Sequence, residues 1–302
     1  MNAMTVLVAT DGSACAKVAL NLAATIPWPE GSVIHLVSAV ERSSAVYVPS
    51  AVGAVADPVE REVPLIGGII DELELIAAPL RDKGAAVETH VLVGRPATAI
   101  VDEAETVRAD VIIVGSRGHG TIGSMVLGSV SAEVADHAHC PVIVARKPTW
   151  SRVILGVDGS TFGERAENIV GTWPIFAGTH IEVLSVADVD LSWPSSLALS
   201  AYASSIDYPA TEQAIETDHQ RWADEATQRL RANGRDAVSR PVDGDPAAEL
   251  IRATKEEDAD VIVVGTHGRT GLRRAFAGSV ARNVMLHAAC SVLVVRETRP
   301  LT

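Results

Sequence analysis

The sequence predicts an α/β protein built from two similar domains, each with a five-stranded parallel sheet and helices on both faces. Short apolar runs rich in valine and isoleucine alternate with alanine-rich amphipathic stretches, which is the pattern of βαβ units. The runs DVIIVG (110–115) and PVIVAR (141–146) are apolar without alternation, as expected for strands buried on both faces. The whole pattern then occurs a second time, which indicates a duplicated domain.

An internal repeat marks the two copies. The segment VLVATDGS at 6–13 returns as VILGVDGS at 153–160, an offset of 147 residues. The segment RADVIIVGSRGHG at 108–120 returns as DADVIVVGTHGRT at 258–270, an offset of 150 residues. We therefore expect domain 1 over residues 1–147 and domain 2 over 151–302, joined near Pro148, which would end a strand.

Each predicted element of domain 1 has a simple pattern. Proline opens one predicted helix and Gly84 ends another, as those residues commonly do. A loop is expected over 43–64, and domain 2 repeats the order with its long helix near 211–233. The sequence predicts strands in TVLVAT, SVIHLVSAV, AAVETHVLV, DVIIVG and PVIVAR, and helices in SACAKVALNLAATI, LIGGIIDELELIAAPLRDKG, PATAIVDEAETV and GSVSAEVADHA.

Charge and composition exclude several classes of partner. With 38 acidic and 25 basic residues the formal net charge is −13, and an acidic surface repels nucleic acid and anionic membranes. We therefore predict no nucleic-acid partner and no membrane partner. Three cysteines are too few for a disulfide framework, and no secretion signal or spanning segment stands out, so a cytoplasmic location is predicted.

A glycine-rich loop follows the predicted fourth strand. GSRGHGTIGSMVLGS (115–129) contains the G-x-G-x-x-G spelling of dinucleotide sites, but GTHGRTGLRRAFAGS (265–279) breaks that spacing. Both copies keep G-x-x-G, nine further residues and then G-S. The dinucleotide motif also belongs after the first strand, and a Gly-Lys-Ser or Gly-Lys-Thr for a Walker loop is missing. The shared spacing is therefore the informative one.

This spacing suits a phosphate site. A glycine at the end of a buried strand permits positive φ and close approach of a ligand to the backbone. The nine residues form a flap, and the final Gly-Ser opens a helix with serine as its N-cap. The free N–H groups and the helix dipole then favour phosphate without a lysine. A plain strand–loop–helix connection explains the same residues and stays open.

An acidic residue closes the predicted first strand of each domain. Asp11 and Asp158 each precede Gly-Ser, beside the crevice that forms where strand order reverses. The carboxylate would contact a base, a ribose or a metal on the phosphates, or it would cap the next helix in an Asp-Gly-Ser turn. Two residues earlier, Ala9 and Gly156 are small enough for a base to lie flat.

These residues resemble the universal stress protein family. VATDGSACAKVAL (8–20), ADVIIVGSRGHG (109–120) and LGSVSAEVADHAHCPVIVAR (127–146) are similar to its first strand and helix, its ligand loop and its last helix–strand pair. The likeness spans nearly the whole chain twice, as in a tandem universal stress protein of the ATP-binding branch. It implies a Rossmann-like, adenine nucleotide alpha hydrolase-like fold, one ATP with or without Mg²⁺ per domain, and a nucleotide-dependent role in the stress response.

The resemblance also implies the residues that contact the nucleotide, with Asp11 and Val40 at the adenosine and the loop residues around ribose and phosphates. Position 117 is arginine where position 267 is histidine, so the two sites are expected to differ in affinity. No catalytic residue and no metal-binding residue is predicted. The full set is Ala9, Asp11, Val40, Val114, Gly115, Ser116, Arg117, Gly118, His119, Gly120, Thr121, Gly128, Ser129 and Val130 in domain 1, and Gly156, Asp158, Val186, Gly265, Thr266, His267, Gly268, Arg269, Thr270, Gly278, Ser279 and Val280 in domain 2.

Assembly and alternative functions complete the expectations. The family pairs domains through the last strand, so PVIVAR and SVLVVR are expected to pair antiparallel within the chain. A homodimer and a regulatory protein partner of unknown identity are also expected. The alternative function is a slow ATPase or a phosphoryl- or adenylyl-transfer enzyme. His137 with Cys140, and His287 with Cys290, offer two ligands per copy, fewer than a zinc site needs, so packing is the expected role.

Overall fold

The computed structural model describes residues 3–41, 58–82, 84–118, 127–187, 208–266 and 278–296, with side chains described from 66 and 216 onward in the second and fifth ranges. The chain divides into two compact units. Unit 1 covers Met1–Pro148, and unit 2 covers Thr149–Glu297. Each unit is a separate α/β body, so each is treated by itself.

Unit 1 contains one parallel sheet in the strand order β3-β2-β1-β4-β5. Every pairing between neighbours in this sheet is parallel, as the apolar runs predict. The elements are β1 (Thr5–Ala9), α1 (Ala14–Thr25), β2 (Val33–Val40), α2 (Pro58–Asp82), β3 (Ala86–Val93), α3 (Pro96–Thr106), β4 (Val111–Gly115), α4 (Ser129–His137) and β5 (Val142–Ala145).

Unit 2 repeats this sheet in the order β8-β7-β6-β9-β10, again with parallel pairings only. A short 3₁₀ turn at Pro174–Phe176 precedes its second strand. The elements are β6 (Arg152–Gly156), α5 (Thr161–Thr172), β7 (His180–Ala187), α6 (Tyr208–Ala232), β8 (Asp236–Asp243), α7 (Pro246–Glu256), β9 (Val261–Gly265), α8 (Ser279–His287) and β10 (Ser291–Val295).

The fold prediction is confirmed, with one difference at the long helices. Helix α2 begins at Pro58, inside the loop predicted over 43–64. Proline is well tolerated in the first turn of a helix, where its missing N–H would be unpaired anyway. Pro58 therefore fits a helix start as well as a loop, and local composition did not separate the two. The predicted pairing of PVIVAR with SVLVVR concerns the two units relative to each other and stays a prediction.

The strand order creates one special position in each unit. In unit 1 the chain runs from β1 outward to β2 and β3, then crosses to β4 on the other side of β1. Unit 2 does the same around β6, with β7 on one side and β9 on the other. Loops leaving neighbouring strands in opposite directions open a crevice at the carboxyl ends of β1 and β4, and of β6 and β9.

Opposite the crevice, a buried carboxylate holds the strand starts of unit 2 together. Asp260, just before β9, accepts hydrogen bonds from the backbone N–H groups of Ser151 and Arg152 at 2.7 and 3.0 Å, and from the hydroxyls of Ser151 and Thr149. Burial by itself would raise the pKa of Asp260, but these hydrogen bonds outweigh it and lower that pKa below its usual value. The ionised form therefore stabilises the folded unit.

We predict that Asp260→Asn lowers the free energy of unfolding of unit 2 by about 1–3 kcal/mol at pH 7, because an amide NH₂ cannot accept these hydrogen bonds. The folded pKa is depressed, so this stabilisation is present above the unfolded pKa and is lost as the pH falls through the folded pKa. Urea unfolding at pH 7 and at pH 3 measures both effects.

The matched control is Asp110→Asn in unit 1. Asp110 occupies the same place before β4 but accepts one of these backbone bonds, from Thr5 N–H at 2.8 Å. Asp110→Asn should therefore lower the free energy of unfolding of unit 1 by less than Asp260→Asn lowers that of unit 2. Equal losses for the two variants, or a difference from wild type that grows at low pH, would contradict this account.

Candidate functional site

The carboxyl end of the fourth strand lies directly against the first turn of the first helix. A Cβ added to Gly115 would lie 2.7 Å from the carbonyl carbon of Cys15 and 2.8 Å from its oxygen. At Gly265 a Cβ would lie 2.7 Å from the carbonyl carbon of Phe162 in α5. The sequence analysis explained these glycines by a positive φ. Neither has one, so that explanation is wrong. Both positions require glycine because two backbone segments touch there.

The turn after the first strand has the same form in both units. The carboxylate Oδ1 of Asp11 accepts a hydrogen bond from Ser13 N–H at 3.0 Å, and Asp158 does the same with Ser160 N–H at 3.1 Å. The glycine between the aspartate and the serine has a positive φ in both units, +76° at Gly12 and +68° at Gly159. The serine then caps the first helix, as Ser13 Oγ accepts from Ala16 N–H. The turn that caps a helix is therefore real, and it fixes where each aspartate points.

In unit 1 this turn meets the loop that follows β4. A Cβ on Gly118 would lie 2.5 Å from Asp11 Oδ2, so the carboxylate lies against the glycine backbone. The hydroxyl of Ser13 also donates to the carbonyl of Arg117 at 3.4 Å. The structure thus brings Asp11 to Arg117 and Gly118, which lie more than a hundred residues away from it in the sequence.

A backbone hydrogen bond joins the first and last residues of the loop after the fourth strand in each unit. Gly128 N–H donates to Ser116 O at 2.8 Å, and Gly278 N–H donates to Thr266 O at 2.5 Å. A Cβ on Gly128 would lie 3.1 Å from the Cα of Arg117, so a side chain would crowd the point where the two ends meet. The predicted residues His119, Gly120, Thr121, His267, Gly268, Arg269 and Thr270 lie outside the described residues.

The helix that follows is capped one residue earlier than predicted. Gly128 is the N-cap of α4 and Gly278 that of α8, while Ser129 and Ser279 are the first helical residues. The predicted serine N-cap is wrong because the backbone bond of the glycine holds that residue in the extended conformation of a cap. A side-chain bond caps neither helix. The N–H groups of both first turns, and their dipoles, thus favour an anion.

One residue that the sequence analysis missed fixes α4 to the end of β4. The hydroxyl of Ser131 donates to Gly115 O at 2.6 Å, and this serine is buried. The sequence does show a second serine two residues after the Gly-Ser pair, and this could have indicated the contact. Unit 2 has Ala281 at the corresponding position, so it lacks this bond.

Strand register corrects one pair of predicted residues. Val40 is the last residue of β2 and pairs with Val93 of β3. In unit 2 the corresponding last residue is Ala187, which pairs with Asp243. Val186 lies one position earlier, so its side chain points to the opposite face of the sheet. Matching Val186 to Val40 is therefore wrong, because a shift of one residue exchanges the faces of a strand.

The remaining predicted residues lie at the strand ends or in the first turns of α4 and α8. Val114 and Ser116 are buried, whereas Ala9, Val130 and Val280 are half-buried. A Cβ on Gly156 would lie 3.2 Å from a methyl group of Leu250, so an added side chain would press against α7. A base contact at Gly156 would therefore use its backbone.

Unit 2 differs from unit 1 beside the aspartate turn. A Cβ on Gly159 would lie 2.5 Å from the indole of Trp222, so this ring of α6 covers the Asp-Gly-Ser turn. The indole makes an edge-on contact with His219 at a centroid distance of 4.7 Å, and His219 Nδ1 lies 2.9 Å from Ser185 Oγ. Unit 1 has the exposed Glu72 at the position of Trp222. The long helices differ too much in sequence for a repeat comparison to have found this contact.

Of the cysteine and histidine pairs near the last strands, the cysteines are packing residues as predicted, whereas His137 and His287 are exposed, so the predicted packing role is wrong for the histidines. Cys140 and Cys290 are buried, and burial raises the pKa of the Cys140 thiol to about 12. His137 Nδ1 lies 2.9 Å from the carbonyl of Glu133 in its own helix. Cys140 is thus protonated at neutral pH and unsuited to nucleophilic chemistry.

The sequence profile of the universal stress protein family matches residues 3–146 and 149–296. The chain belongs to this family. A universal stress protein of Mycobacterium tuberculosis strain H37Rv is 29% identical over 97% of this chain and 96% of its own length. Another from the same strain is 28% identical over 72% of this chain and 71% of its own length.

Solved structures show the same fold. A universal stress protein from Archaeoglobus fulgidus matches 98% of this chain and 100% of its own, with a TM-score of 0.67 and 17% identity. One universal stress protein, matched over 48% of this chain at 27% identity and a TM-score of 0.34, was crystallised in complex with cAMP. That ligand is a property of that protein. Within the described ranges, every helix of this universal stress protein is too short or too polar to cross a membrane.

We predict that Gly115→Ala destabilises unit 1 by about 1–3 kcal/mol, because the new methyl group would overlap the α1 backbone and force α1 away from β4. The control is Gly68→Ala in α2, where an added Cβ meets no atom within 4 Å. That change should be neutral or stabilising by up to about 1 kcal/mol. Urea unfolding of both variants gives the comparison, and wild-type stability of Gly115→Ala would refute the contact.

Proposed function

We propose that this universal stress protein binds one ATP in each unit, in the crevice between the first and fourth strands, and that nucleotide occupancy regulates its part in the stress response. The observation that carries the proposal is the meeting of Asp11 with Gly118 at the point where strand order reverses. A carboxylate, a glycine backbone and an uncapped helix start then border one crevice.

The chemistry of these groups assigns the ends of the nucleotide. An ionised carboxylate only accepts hydrogen bonds and repels phosphate, so Asp11 suits a ribose hydroxyl or a base amine. The first turn of α4 suits phosphate, because its N–H groups have no side-chain cap and its dipole is positive at that end. In a chain of net charge −13 such local backbone donors are what an anion needs.

The fit does not require a metal held by the protein. Mg²⁺ usually keeps several waters and is held largely by the phosphates of a nucleotide, so we propose that it enters with the ATP. On the described residues nothing favours the alternative of a hydrolytic or transferase activity, and we do not propose one. The homodimer, the protein partner and the cytoplasmic location stay predictions.

The two sites should differ in affinity. In unit 2 the indole of Trp222 lies on the Asp-Gly-Ser turn, whereas unit 1 has the exposed Glu72 at that helix position. An indole beside Asp158 offers a stacking face for a base, while the carboxylate of Glu72 at that helix position of unit 1 offers none. We therefore propose that unit 2 binds the nucleotide more tightly than unit 1.

We predict two ATP molecules per wild-type chain by isothermal titration calorimetry, and one tight molecule after either Asp11→Asn or Asp158→Asn. Asparagine keeps an oxygen for the Ser13 or Ser160 N–H and so preserves the turn, but it loses the charge. We expect about a tenfold or greater loss of affinity at the altered site, because charge-assisted bonds contribute about 1.5–3 kcal/mol.

The double variant should lose both sites while keeping its fold by circular dichroism. Mass spectrometry of small molecules released from freshly purified, denatured protein identifies the natural ligand. A stoichiometry of two in the double variant, or release of a non-nucleotide ligand, would reject the proposal.

We further predict that ATP changes the fluorescence of Trp222, because the indole lies beside the Asp158 turn. The change should vanish in Trp222→Phe, persist in Asp11→Asn and be lost in Asp158→Asn. A signal that follows Asp11 instead would place the responding tryptophan elsewhere and remove the argument for a distinct second site.

A further inference from the structure

Away from the crevice, unit 1 holds a cluster of two histidines and a glutamate in the middle of its strands. His35 of β2 pairs in register with Glu88 of β3, and His90 lies two residues further along β3, so all three lie on one face of the sheet. His35 Nδ1 is 3.3 Å from His90 Nε2 and 3.5 Å from Glu88 Oε2, and His90 Nε2 is 3.8 Å from the same oxygen. Among the described residues this is the group that could hold a metal ion.

These separations are nearer to those around a tetrahedral zinc ion than to those around an octahedral one. Two ligands about 2.0–2.1 Å from a zinc ion at the tetrahedral angle are about 3.3 Å apart, whereas adjacent octahedral ligands would be about 3.0 Å apart. All three distances between the ligand atoms, 3.3, 3.5 and 3.8 Å, exceed the octahedral value. Three protein ligands leave the fourth position to water, and the half-exposed His90 and the exposed Glu88 give an ion access from solvent.

A second carboxylate supports one of the histidines. Glu103 of α3 lies with Oε1 3.7 Å from His90 Nδ1, the ring nitrogen that points away from the cluster. A carboxylate beside the distal nitrogen is the usual support of a metal-bound histidine, because it fixes the tautomer and the ring orientation. The other histidine, His35, is buried on the core side of the cluster.

Unit 2 shows what the same positions do without such a cluster. The register places Glu182 at the position of His35 and Arg240 at the position of His90. Arg240 there forms an ion pair with Glu182 at 3.4 Å and with Glu256 at 2.5 Å. The guanidinium of Arg240 thus neutralises the carboxylates at these positions of unit 2, whereas unit 1 has two imidazoles and no arginine at the corresponding positions.

We propose that His35, Glu88 and His90 bind one zinc ion in unit 1, with Glu103 as a positioning residue. The ion would link β2, β3 and, through Glu103, helix α3. This site is independent of the proposed ATP site, because His35 lies in the middle of β2 and not at its carboxyl end. The metal-free alternative is a hydrogen bond between His35 and His90 with the Glu88 carboxylate beside them, and the experiment distinguishes this arrangement from a zinc site.

The test uses the untagged full-length chain, stripped with a chelator and titrated with ZnCl₂ by calorimetry in a buffer without nucleotide. We expect one zinc per chain. His90→Gln and Glu88→Gln should each lower the affinity at least tenfold, and Glu103→Gln should lower it about 10–100-fold without changing the stoichiometry. His90 and Glu88 are chosen because they are not buried, so their variants should fold, which circular dichroism checks.

The matched control is His180→Gln. His180 Nδ1 lies 2.7 Å from Asp236 across β7 and β8, which is a histidine–carboxylate pair on the same two strands of unit 2 but with one imidazole only. Its loss should leave zinc binding unchanged. Co²⁺ in place of zinc should give the intense visible absorption of a tetrahedral site, and His90→Gln should abolish it. Equal zinc affinity of wild type and His90→Gln, or a weak octahedral cobalt spectrum, would overturn the proposal.

Discussion

The close approach of the first helix to the end of the fourth strand is the constraint on which the candidate site depends. Because Gly115 has no side chain, the backbone of Cys15 and Ala16 lies against it, and Gly265 allows the same contact with Phe162. This contact brings the turn after the first strand to the loop after the fourth, so that Asp11 reaches Gly118. A larger residue at the strand end would separate the two halves of the crevice by the width of a methyl group or more, and the carboxylate would lose its neighbour.

Duplication preserved this frame and left the surrounding side chains free to differ. Both units keep the strand order, the Asp-Gly-Ser turn and the backbone bond that closes the glycine loop, since each depends mainly on backbone contacts. Side chains outside that frame differ. Trp222 covers the turn in unit 2, and unit 1 has His35 and His90 where unit 2 has the ion pair of Glu182 with Arg240. Two units of one fold therefore present different side chains around the same backbone frame.

The glycines of the loop show how far spacing alone can be taken. The repeat identified Gly115, Gly118 and Gly128 because both copies keep the same intervals. The structure supplies the reasons, which are contacts with the α1 backbone, with the Asp11 carboxylate and with the returning loop end. The serine after the last glycine was predicted as a cap, yet the glycine caps, because its N–H is held by Ser116 O. Such assignments depend on a hydrogen bond between residues distant in sequence, which no local pattern contains.

The sequence by itself determined the two α/β units, the parallel strands, the family and the expected place of the candidate crevice. These follow from hydrophobic periodicity and turn residues, which are local, and from the internal repeat, which needs only a comparison of the sequence with itself. Only the tertiary structure decided which residues meet. It placed Ala187 rather than Val186 at the strand end, brought Trp222 onto Gly159, and gathered His35, Glu88 and His90 on one face of the sheet. The physical reason is that strand register and helix packing are set by contacts summed over the whole core, and a change of one residue in register moves a side chain to the other face.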